Sequence, residues 1–384
     1  MSPRGARAPR PPVLAAALAV ALSACPAPRP TPAPSAPLPP PIAAPPPVGP
    51  TVFAEPTVTV GASTSKTGWL RTDKNRILLP DGKRFVGHGA NVHDTRSCDA
   101  CTFEPPRPEE VIRRVDALID DWHASFVRLL LESYKDRGPG RTHYKSLLED
   151  ERYLYDVVRI VDHIGQKPGV YVLLSLWQDE SFDALGWPTE RTRAVWRTLA
   201  RALRDRPHVM FGLVNEPQKN FEGKFDAYAW KAMNDTVATI REVERPGQHH
   251  IITVQGTRDW GRSLAYYVTH PITAGGGVNV AYETHVYNPA ARFDELVVQP
   301  AKTLPVIIGE FGWRQDQDVN MSLDDCHGLM DLADKLELPW LAWTFHGNCP
   351  PNLLVERKET CAAGMPLTPS AWGRVIKERL GRRR

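Results

Sequence analysis

The chain has 384 residues, of which 42% are hydrophobic, and 47 basic residues stand against 44 acidic ones, so the net charge is +3. Residues 1–56 account for that excess, and the remaining chain of about 320 residues is electrically balanced. This balance argues against a nucleic-acid-binding protein, which needs a net basic face to neutralise phosphates. The hydrophobic content excludes a disordered or membrane-spanning body.

The first 25 residues have the pattern of an export signal. Three arginines within the first ten residues precede an apolar run from Val13 to Leu22, which is too short to cross a bilayer as a helix. The run ends in Leu-Ser-Ala-Cys25, which resembles the bacterial lipobox, whose cysteine is lipidated and becomes the mature N-terminus. We therefore predict a lipoprotein signal peptide over residues 1–25 with lipidation at Cys25. The alternative is an ordinary signal peptide with an incidental cysteine.

Residues 26–66 are predicted to form a Pro-rich, disordered linker. Residues 26–56 hold 14 of the 37 prolines, interspersed with Ala, Ser and Thr, and this composition favours an extended polyproline-II spacer over a packed core. We expect an exported protein that is lipid-anchored to a bacterial membrane or cell surface through Cys25, and is otherwise secreted. No other membrane contact is expected, and we predict a monomer.

The other five cysteines are consistent with an exported protein. Cys98 and Cys101 have the spacing of half a zinc site, but no second Cys-x-x-Cys or His-x-x-x-His pair accompanies them. In an oxidising compartment, disulfides suit Cys98, Cys101, Cys326, Cys349 and Cys361 better than a metal does. Five is an odd number, so one thiol stays free or the pairing is not simple. We predict no metal and no organic cofactor.

From Gly68 onward the sequence predicts a small hairpin and then eight strand–helix alternations. The hairpin would join residues 76–79 to residues 84–86 across the turn Pro80-Asp81-Gly82. The predicted strands are continuous hydrophobic runs, typical of parallel strands buried on both faces, at residues 85–91, 126–131, 170–177, 209–215, 250–255, 280–287, 305–311 and 340–345. The predicted helices are residues 108–122, 147–165, 190–204, 225–244, 293–301, 323–336 and 369–380.

This alternation predicts a (β/α)8 TIM barrel over residues 67–384. A body of this length suits one barrel-sized domain, and eight units over about 300 residues match that architecture. The alternative is a doubly wound sheet, but neither a G-x-G-x-x-G motif nor a P-loop follows any predicted strand.

Two glutamates end predicted strands at the barrel mouth, where barrel enzymes carry their functional residues. Glu216 follows the fourth strand and Glu310 ends the seventh. A carboxylate at the end of an apolar strand is costly to desolvate unless it is used or paired. Glycoside hydrolysis needs two such groups, a proton donor with a raised pKa and an anion that meets the oxocarbenium-like carbon.

Other strand ends carry residues that suit a sugar site. Asn215 is able to hydrogen-bond a sugar hydroxyl, and His285 and Tyr287 are able to orient and polarise the carboxylates. Arg128 is able to hold a neighbouring acid ionised. Trp343 offers a flat apolar face for a sugar ring, although the same residue would also fill the barrel mouth as part of the core.

These motifs together resemble glycoside hydrolase family 5, the cellulase family of retaining barrel glycosidases. The likeness covers about residues 68–380 and rests on Val-Asn-Glu-Pro at 214–217, His-x-Tyr at 285–287, Gly-Glu-Phe-Gly at 309–312 and the Trp of the eighth strand. It implies that Glu216 is the acid/base and Glu310 the nucleophile. It also implies supporting roles for Arg128, His285, Tyr287 and Trp343.

The third strand departs from the family pattern. Many members end that strand with a histidine, whereas this chain has Trp177, an aromatic platform. His93, after the first strand, is a candidate for a comparable imidazole. Asp179 and Glu180 follow the third strand, where substrate contact and a solvated loop are equally consistent with the sequence. The departure affects the expected substrate more than the expected mechanism.

The sequence therefore predicts a retaining glycoside hydrolase that cleaves a polysaccharide or oligosaccharide such as β-1,4-glucan or β-mannan. The two carboxyl groups should lie about 5–5.5 Å apart, with Glu310 ionised and Glu216 protonated near neutral pH. Two alternatives stay open. One is a non-catalytic, surface-anchored carbohydrate-binding lipoprotein, and the other is a glycosidase of glycolipids or small β-glycosides.

Overall fold

The structure is a computed structural model, and it describes residues 55, 60–96, 107–131, 146–177, 185–217, 220–314, 321–355 and 363–382. The predicted signal peptide, Cys25 and most of the Pro-rich linker lie outside these residues, as do Cys98, Cys101 and Cys361. Within the described ranges, no helix combines the length and the apolar content that crossing a bilayer requires.

Eight parallel strands close into a barrel, which confirms the predicted (β/α)8 fold. Every residue of these strands is buried, as expected for strands covered on both faces. The strands are β3 (His88–His93), β4 (Phe126–Leu131), β5 (Tyr171–Leu176), β6 (Val209–Gly212), β7 (Ile251–Gln255), β8 (Val280–His285), β9 (Val306–Glu310) and β10 (Trp340–Ala342), and β10 pairs with β3 to complete the ring.

Helices follow most strands, and side-chain caps set several of their starts. The helices are α1 (Pro108–Asp116), α2 (Glu151–Gly165), α3 (Glu190–Leu203), α4 (Asp226–Arg241), α5 (Ala265–Thr269), α6 (Gln299–Ala301), α7 (Leu323–Leu336) and α8 (Ala371–Gly381). The predicted start of the second helix at residue 147 is four residues early, because the Asp150 side chain accepts from Arg152 N–H and caps α2. Thr189 and Ser322 form capping boxes at α3 and α7.

Two helical segments differ from their predictions. The predicted helix 293–301 consists of a π-helix at Asp294–Val298 followed by α6, and a 3-10 helix at Ala290–Arg292 precedes them. α6 contains Pro300, which lacks the N–H that a helix interior uses. The short helix α5 was not predicted, because five residues carry too little periodicity to detect.

The opening hairpin also differs from its prediction. Its strands are β1 (Arg71–Asp73) and β2 (Arg76–Leu78), which turn at Lys74 rather than at Pro80-Asp81-Gly82. Lys74 has φ 54, a left-handed conformation for which lysine carries no sequence signal. The predicted turn does form, since Gly82 N–H donates to Leu79 O, but it leaves only an isolated bridge between Leu78 and Arg84.

The barrel interior is apolar at the N-terminal ends of the strands and polar at their C-terminal ends. Leu70, Ile77 and Phe85, from and around the hairpin, pack in one cluster with inward residues near the strand starts, such as Phe126 and Tyr171. A larger cluster fills the space between strands and helices. The hairpin thus closes one end of the barrel, and the other end is left for polar side chains.

Described residues before residue 67, within the predicted linker, already contact the barrel domain. Lys66 N–H donates to Gly165 O at 2.9 Å, and Arg206 Nη2 donates to Gly61 O at 2.9 Å. Glu55 forms ion pairs with Arg197 and Arg201 of α3.

One cysteine of the odd set is accounted for by burial. Cys326 lies in α7 as a buried free thiol, and burial raises its pKa, which makes it unreactive. The predicted disulfides involving Cys98, Cys101 and Cys361 fall outside the described residues.

Candidate active site

Glu310 is the last residue of β9 and is nearly buried, with 3% of its surface exposed. Arg128 Nη1 donates to its Oε1 at 2.7 Å, and the Tyr287 hydroxyl donates to its Oε2 at 3.1 Å. Nδ1 of His285 lies 3.4 Å from the same Oε2. Three donors therefore surround one carboxylate, an arrangement that stabilises its anionic form.

Glu216 lies four residues beyond the end of β6, and its side chain is 24% exposed. Its backbone has φ 48, in the left-handed region that residues other than glycine adopt at a cost. Its N–H donates to Gln255 Oε1 at 2.6 Å, and His285 Nδ1 lies 2.9 Å from its Oε1. This carboxylate reaches the same pocket as Glu310 but remains accessible from the barrel mouth.

The two carboxyl groups meet at His285. One carboxylate oxygen of Glu216, one of Glu310 and a ring nitrogen of His285 all lie within 4.8 Å of one another. Inverting glycosidases hold their carboxyl groups about 6.5–9.5 Å apart to admit a water molecule, whereas retaining enzymes hold them about 5–5.5 Å apart. Both carboxylates lie against one imidazole, that of His285.

Arg128 is the fully buried centre of the supporting network. Its Nη1 also donates to Asn91 Oδ1 at 2.9 Å, and its Nη2 donates to Ser175 Oγ at 2.9 Å and to Asn215 Oδ1 at 2.8 Å. Its Nε lies 3.0 Å from Glu283 Oε1. A buried cation is stable only when it is paired and hydrogen-bonded, and Arg128 has two carboxylate partners, Glu283 and Glu310.

The charges of this network shift several pKa values. Burial opposes the ionisation of Glu283, but Arg128 and His285 outweigh burial and lower the pKa of Glu283 to about 2. Burial likewise disfavours the His285 imidazolium, yet Glu310, Glu216 and Glu283 together raise the pKa of His285 to about 9. Burial, followed by the Glu310 charge, raises the pKa of Tyr287 well above its usual range, so its hydroxyl remains a donor.

Burial works against the expected ionisation of Glu310 near neutral pH. Burial raises the pKa of Glu310 to about 7, against the opposing effects of His285 and Arg128. The negative charges of Glu216 and Glu283 add to the effect of burial. A pKa of about 7 leaves a substantial fraction of Glu310 protonated at neutral pH, because desolvation outweighs its three donors.

Among the members of the network that sequence reasoning missed are Gln255 and Glu283. Gln255 ends the apolar strand β7, which is the same signal that identified the two glutamates. Glu283 lies two residues before His285 in β8 and so shares its face of the strand. Thr253 Oγ1 donates to Glu283 Oε2 at 2.7 Å, which completes the partners of this buried carboxylate.

Trp343, Trp177 and His93 form an aromatic wall on one side of the carboxylates. The two indoles stack with centroids 5.2 Å apart, and the His93 ring meets both edge-on at 5.4 and 5.7 Å. Trp343 is 5% exposed, so stacking on Trp177 leaves little open face for a sugar, and its packing role prevails. The structure thus places His93 and Trp177 in this wall, packed around Leu130 with Tyr287 alongside.

A second aromatic group lies on the loops that follow β6 and β7. Phe221 and Trp260 are 52% and 36% exposed and meet edge-to-face at 4.9 Å. The guanidinium of Arg262 lies 5.3 Å from the Trp260 ring and 5.8 Å from the Tyr287 ring. Arg262 therefore links this aromatic group to Tyr287. Asp179 and Glu180 lie outside the described residues.

Within the described residues, one trio brings three potential metal ligands together, and it is Glu216, His285 and Glu310. A metal requires a deprotonated imidazole. The carboxylates around His285 raise its pKa to about 9 and so favour a proton on the ring at neutral pH. The donor set therefore suits proton chemistry better than metal binding, and the absence of a cofactor stays a prediction.

Comparison with known proteins places this geometry in a family. Residues 86–348 match the family model of the cellulases, glycosyl hydrolase family 5. Endoglucanase CelA of Streptomyces lividans is 22% identical over 244 residues, which cover 60% of this chain and 48% of that protein. The chain therefore spans about half the length of this relative.

Solved structures share the fold at low sequence identity. β-Glucanase SdGluc5_26A of Saccharophagus degradans superposes with a TM-score of 0.65 at 19% identity, over 85% of this chain and 98% of that one. A β-mannanase of Streptomyces thermolilacinus superposes with a TM-score of 0.56 at 20% identity, over 82% of this chain and 97% of that one. Structures of the two are also known with cellotetraose and mannohexaose, respectively.

Proposed function

Because the chain belongs to glycosyl hydrolase family 5, the cellulase family, we propose that it is a retaining, endoglucanase-like O-glycosyl hydrolase of β-1,4-glucan or β-mannan. The observation that carries this proposal is the approach of the Glu216 and Glu310 carboxylates to within 4.8 Å at the barrel mouth. Both glutamates of the family pattern are present in this chain, which counts against the alternative of a non-catalytic carbohydrate-binding protein.

In the first step, a Glu310 oxygen forms a bond to the anomeric carbon while the glycosidic C–O bond breaks. Glu216 delivers a proton to the leaving oxygen at the same time. Glu310 attacks as an anion, and Arg128 and Tyr287, which donate to its two oxygens, stabilise that anion before the attack. The donors also hold the carboxylate in one orientation, which is required for in-line attack.

In the second step, Glu216 takes a proton from a water molecule, whose oxygen attacks the anomeric carbon and releases Glu310. The exposure of Glu216 suits this role, because the same group must contact first a leaving sugar and then water. Two inversions at one carbon leave the product with the configuration of the substrate.

The comparisons support a β-linked hexose polymer as substrate. The S. degradans β-glucanase binds cellotetraose and the S. thermolilacinus β-mannanase binds mannohexaose. The cellulase family model and the endoglucanase relative favour glucan of the two. The exposed rings of Phe221 and Trp260 offer aromatic surfaces to an extended chain of sugars.

The proposal is tested by the configuration of the first product. The purified protein is incubated with a panel of β-glucans, β-mannans and aryl β-glycosides, and proton NMR follows the anomeric signal at early times. Release of the β-anomer supports the proposal. Release of the α-anomer would exclude a retaining mechanism, and no hydrolysis of any member would favour the non-catalytic alternative.

We further propose that the catalytic domain is exported and lipid-anchored at Cys25. The support is the basic and apolar opening segment, the Leu-Ser-Ala-Cys25 motif and the Pro-rich spacer that follows. The spacer would hold the barrel away from the membrane surface, where a polymeric substrate is accessible.

A further inference from the structure

We propose that Gln255 is a positioning residue that holds the Glu216 backbone and selects the proton position on His285. This inference rests on the proposed function and names a residue that the family resemblance does not supply. Gln255 is the last residue of β7 and is 1% exposed. Its side-chain amide contacts both the residue assigned as acid/base and the imidazole between the two carboxylates.

The contact between Glu216 and Gln255 takes the place of the backbone hydrogen bonds that join β6 to β7, just beyond the end of β6. Leu213 N–H still donates to Thr253 O at 3.2 Å, as a continuing parallel strand would. Three residues later, Glu216 N–H donates at 2.6 Å to the Gln255 side chain, not to a backbone carbonyl. Glu216 has φ 48, and such a conformation persists only where the surroundings hold it. The hydrogen bond to the Gln255 side-chain carbonyl stabilises this backbone conformation and so fixes the position from which the Glu216 side chain extends.

The first contact also determines the orientation of the amide. A backbone N–H only donates, so the Gln255 oxygen must face Glu216 and its NH₂ group must face the other way. That NH₂ group lies 2.9 Å from His285 Nε2 and 3.3 Å from Glu283 Oε1. Glu283 Oε1 is in turn 3.1 Å from His285 Nε2.

Above its pKa of about 9 the His285 ring is neutral and has two tautomers, and Gln255 discriminates between them. With its proton on Nδ1, the ring accepts from the Gln255 NH₂ at Nε2 and directs the proton toward Glu216 Oε1. With its proton on Nε2, the ring would donate to Glu283 Oε1, but it would also present that donor to the Gln255 NH₂ group, and a bare Nδ1 lone pair would face Glu216 and Glu310. Gln255 therefore favours the tautomer whose proton lies between Glu216 and Glu310.

The same contact opposes full protonation of the ring, because an imidazolium carries a donor at Nε2 as well. Protonation is favoured by Glu310, Glu216 and Glu283 and is opposed by Arg128 and by burial. Replacing the Gln255 NH₂ group by an acceptor removes one opposing contact. A change at Gln255 should therefore appear in the pH profile as well as in the rate.

Two variants separate these effects. Gln255→Glu keeps an acceptor for Glu216 N–H but replaces the NH₂ donor by a carboxylate oxygen, which stabilises the His285 imidazolium. The basic limb of kcat/KM, where His285 loses that proton, should therefore move up by about one pH unit while much of the activity remains. Gln255→Leu removes both contacts and should lower kcat by about 100-fold with little change in KM. Thr236→Val is the matched control, since it removes a buried hydrogen bond within α4, remote from the site, and should leave the activity unchanged.

Leaving-group dependence separates positioning of the proton donor from general damage. A dinitrophenyl glycoside needs little protonation, so Gln255→Leu should lose much less activity on it than on an oligosaccharide. Equal losses on both substrates, or an unchanged pH profile in Gln255→Glu, would overturn the proposal. Gln255→Glu keeps the test usable if Gln255→Leu does not fold.

A spectroscopic measurement is independent of hydrolysis. Nitrogen-15 shifts of His285, assigned by comparison with His285→Asn, report the protonated ring nitrogen above the pKa of about 9. Wild-type protein should show the proton on Nδ1, and Gln255→Leu should show a population with the proton on Nε2. Identical shifts would contradict the proposal. If the expected shifts are observed but the protein hydrolyses no glycoside, the proposal about Gln255 stands and the proposed function is rejected.

Discussion

At the scale of single residues, the two carboxyl groups differ in what surrounds them. Glu310 is nearly buried and has donors on both oxygens, whereas the Glu216 side chain is 24% exposed and lies on a loop. A nucleophile must be aimed, while a proton donor must meet both a leaving group and a water molecule. This asymmetry supports Glu310 as nucleophile and Glu216 as acid/base.

Replacement of each carboxylate should therefore give a different defect. Glu310→Ala has no nucleophile, so its kcat should fall by about 10⁴-fold or more on every substrate. Glu216→Ala should retain its first step on an activated aryl glycoside, and azide should restore turnover by forming a β-glycosyl azide. Mass spectrometry and NMR of the azide product make the measurement. An α-glycosyl azide from Glu216→Ala, or a β-glycosyl azide from Glu310→Ala, would reverse the assignment.

The pH dependence of the free enzyme should follow Glu310. Its pKa is raised by burial to about 7, and only the ionised form attacks, so kcat/KM on an uncharged substrate should fall as pH drops below about 7. The slope should correspond to one proton. An acid limb near pH 4.5, the ordinary range of a glutamate, would show that the donors around Glu310 outweigh its burial.

At the scale of elements, the site depends on the close approach of β8 and β9. Gly309 precedes Glu310, and a Cβ at Gly309 would lie within 2.6–2.7 Å of Cγ and Cδ of Glu283. Glycine is required there because the buried Glu283 carboxylate, which pairs with Arg128, occupies that space. The glycine at position 309 in β9 thus leaves space for the Glu283 carboxylate in β8.

Gly309→Ala should disrupt this arrangement. The added methyl group has to displace Glu283, so we expect a loss of about 2–3 kcal/mol in the free energy of unfolding and a fall in kcat. Denaturant unfolding and kinetics measure the two effects. Gly381→Ala is the control, because a Cβ there meets nothing within 4 Å, and it should leave both unchanged. Wild-type stability in Gly309→Ala would disprove the steric argument.

At the scale of the whole molecule, no step of the proposed reaction uses a metal. Glu216 and Glu310 supply the proton and the nucleophile, and His285 lies between them with a raised pKa. Activity should therefore persist in excess EDTA, measured as initial rates before and after dialysis. A loss of activity that added Ca²⁺ or Zn²⁺ restores would contradict this expectation.

The proposed anchor makes a separate prediction for the whole chain. Cys25→Ser should abolish labelling by a radioactive fatty acid and leave an uncleaved or soluble protein, measured by fractionation of the producing cells. Specific activity should stay at the wild-type value, because the spacer contributes nothing to the site. A wild-type protein that carries no lipid and is released freely would refute the anchor.

The sequence by itself determined the barrel and the positions of its polar strand ends. Continuous apolar runs predict strands buried on both faces, and the eight predicted strands, at 85–91 through 340–345, match β3–β10 to within a few residues at each end. The strand-end rule then identified Glu216 and Glu310, since it depends only on where each apolar run stops. The hairpin turn at Lys74 could not be predicted from the sequence, because it contains no glycine.

Only the tertiary structure decided the environment of those residues. Arg128 and Glu310 are 182 residues apart in the chain yet 2.7 Å apart in space, and Trp177 covers a face of Trp343 that the sequence left open to a sugar. The link from Gln255 to Glu216 is of the same kind. Local patterns report which way a side chain points within its own element, whereas desolvation and pairing depend on what other elements bring beside it.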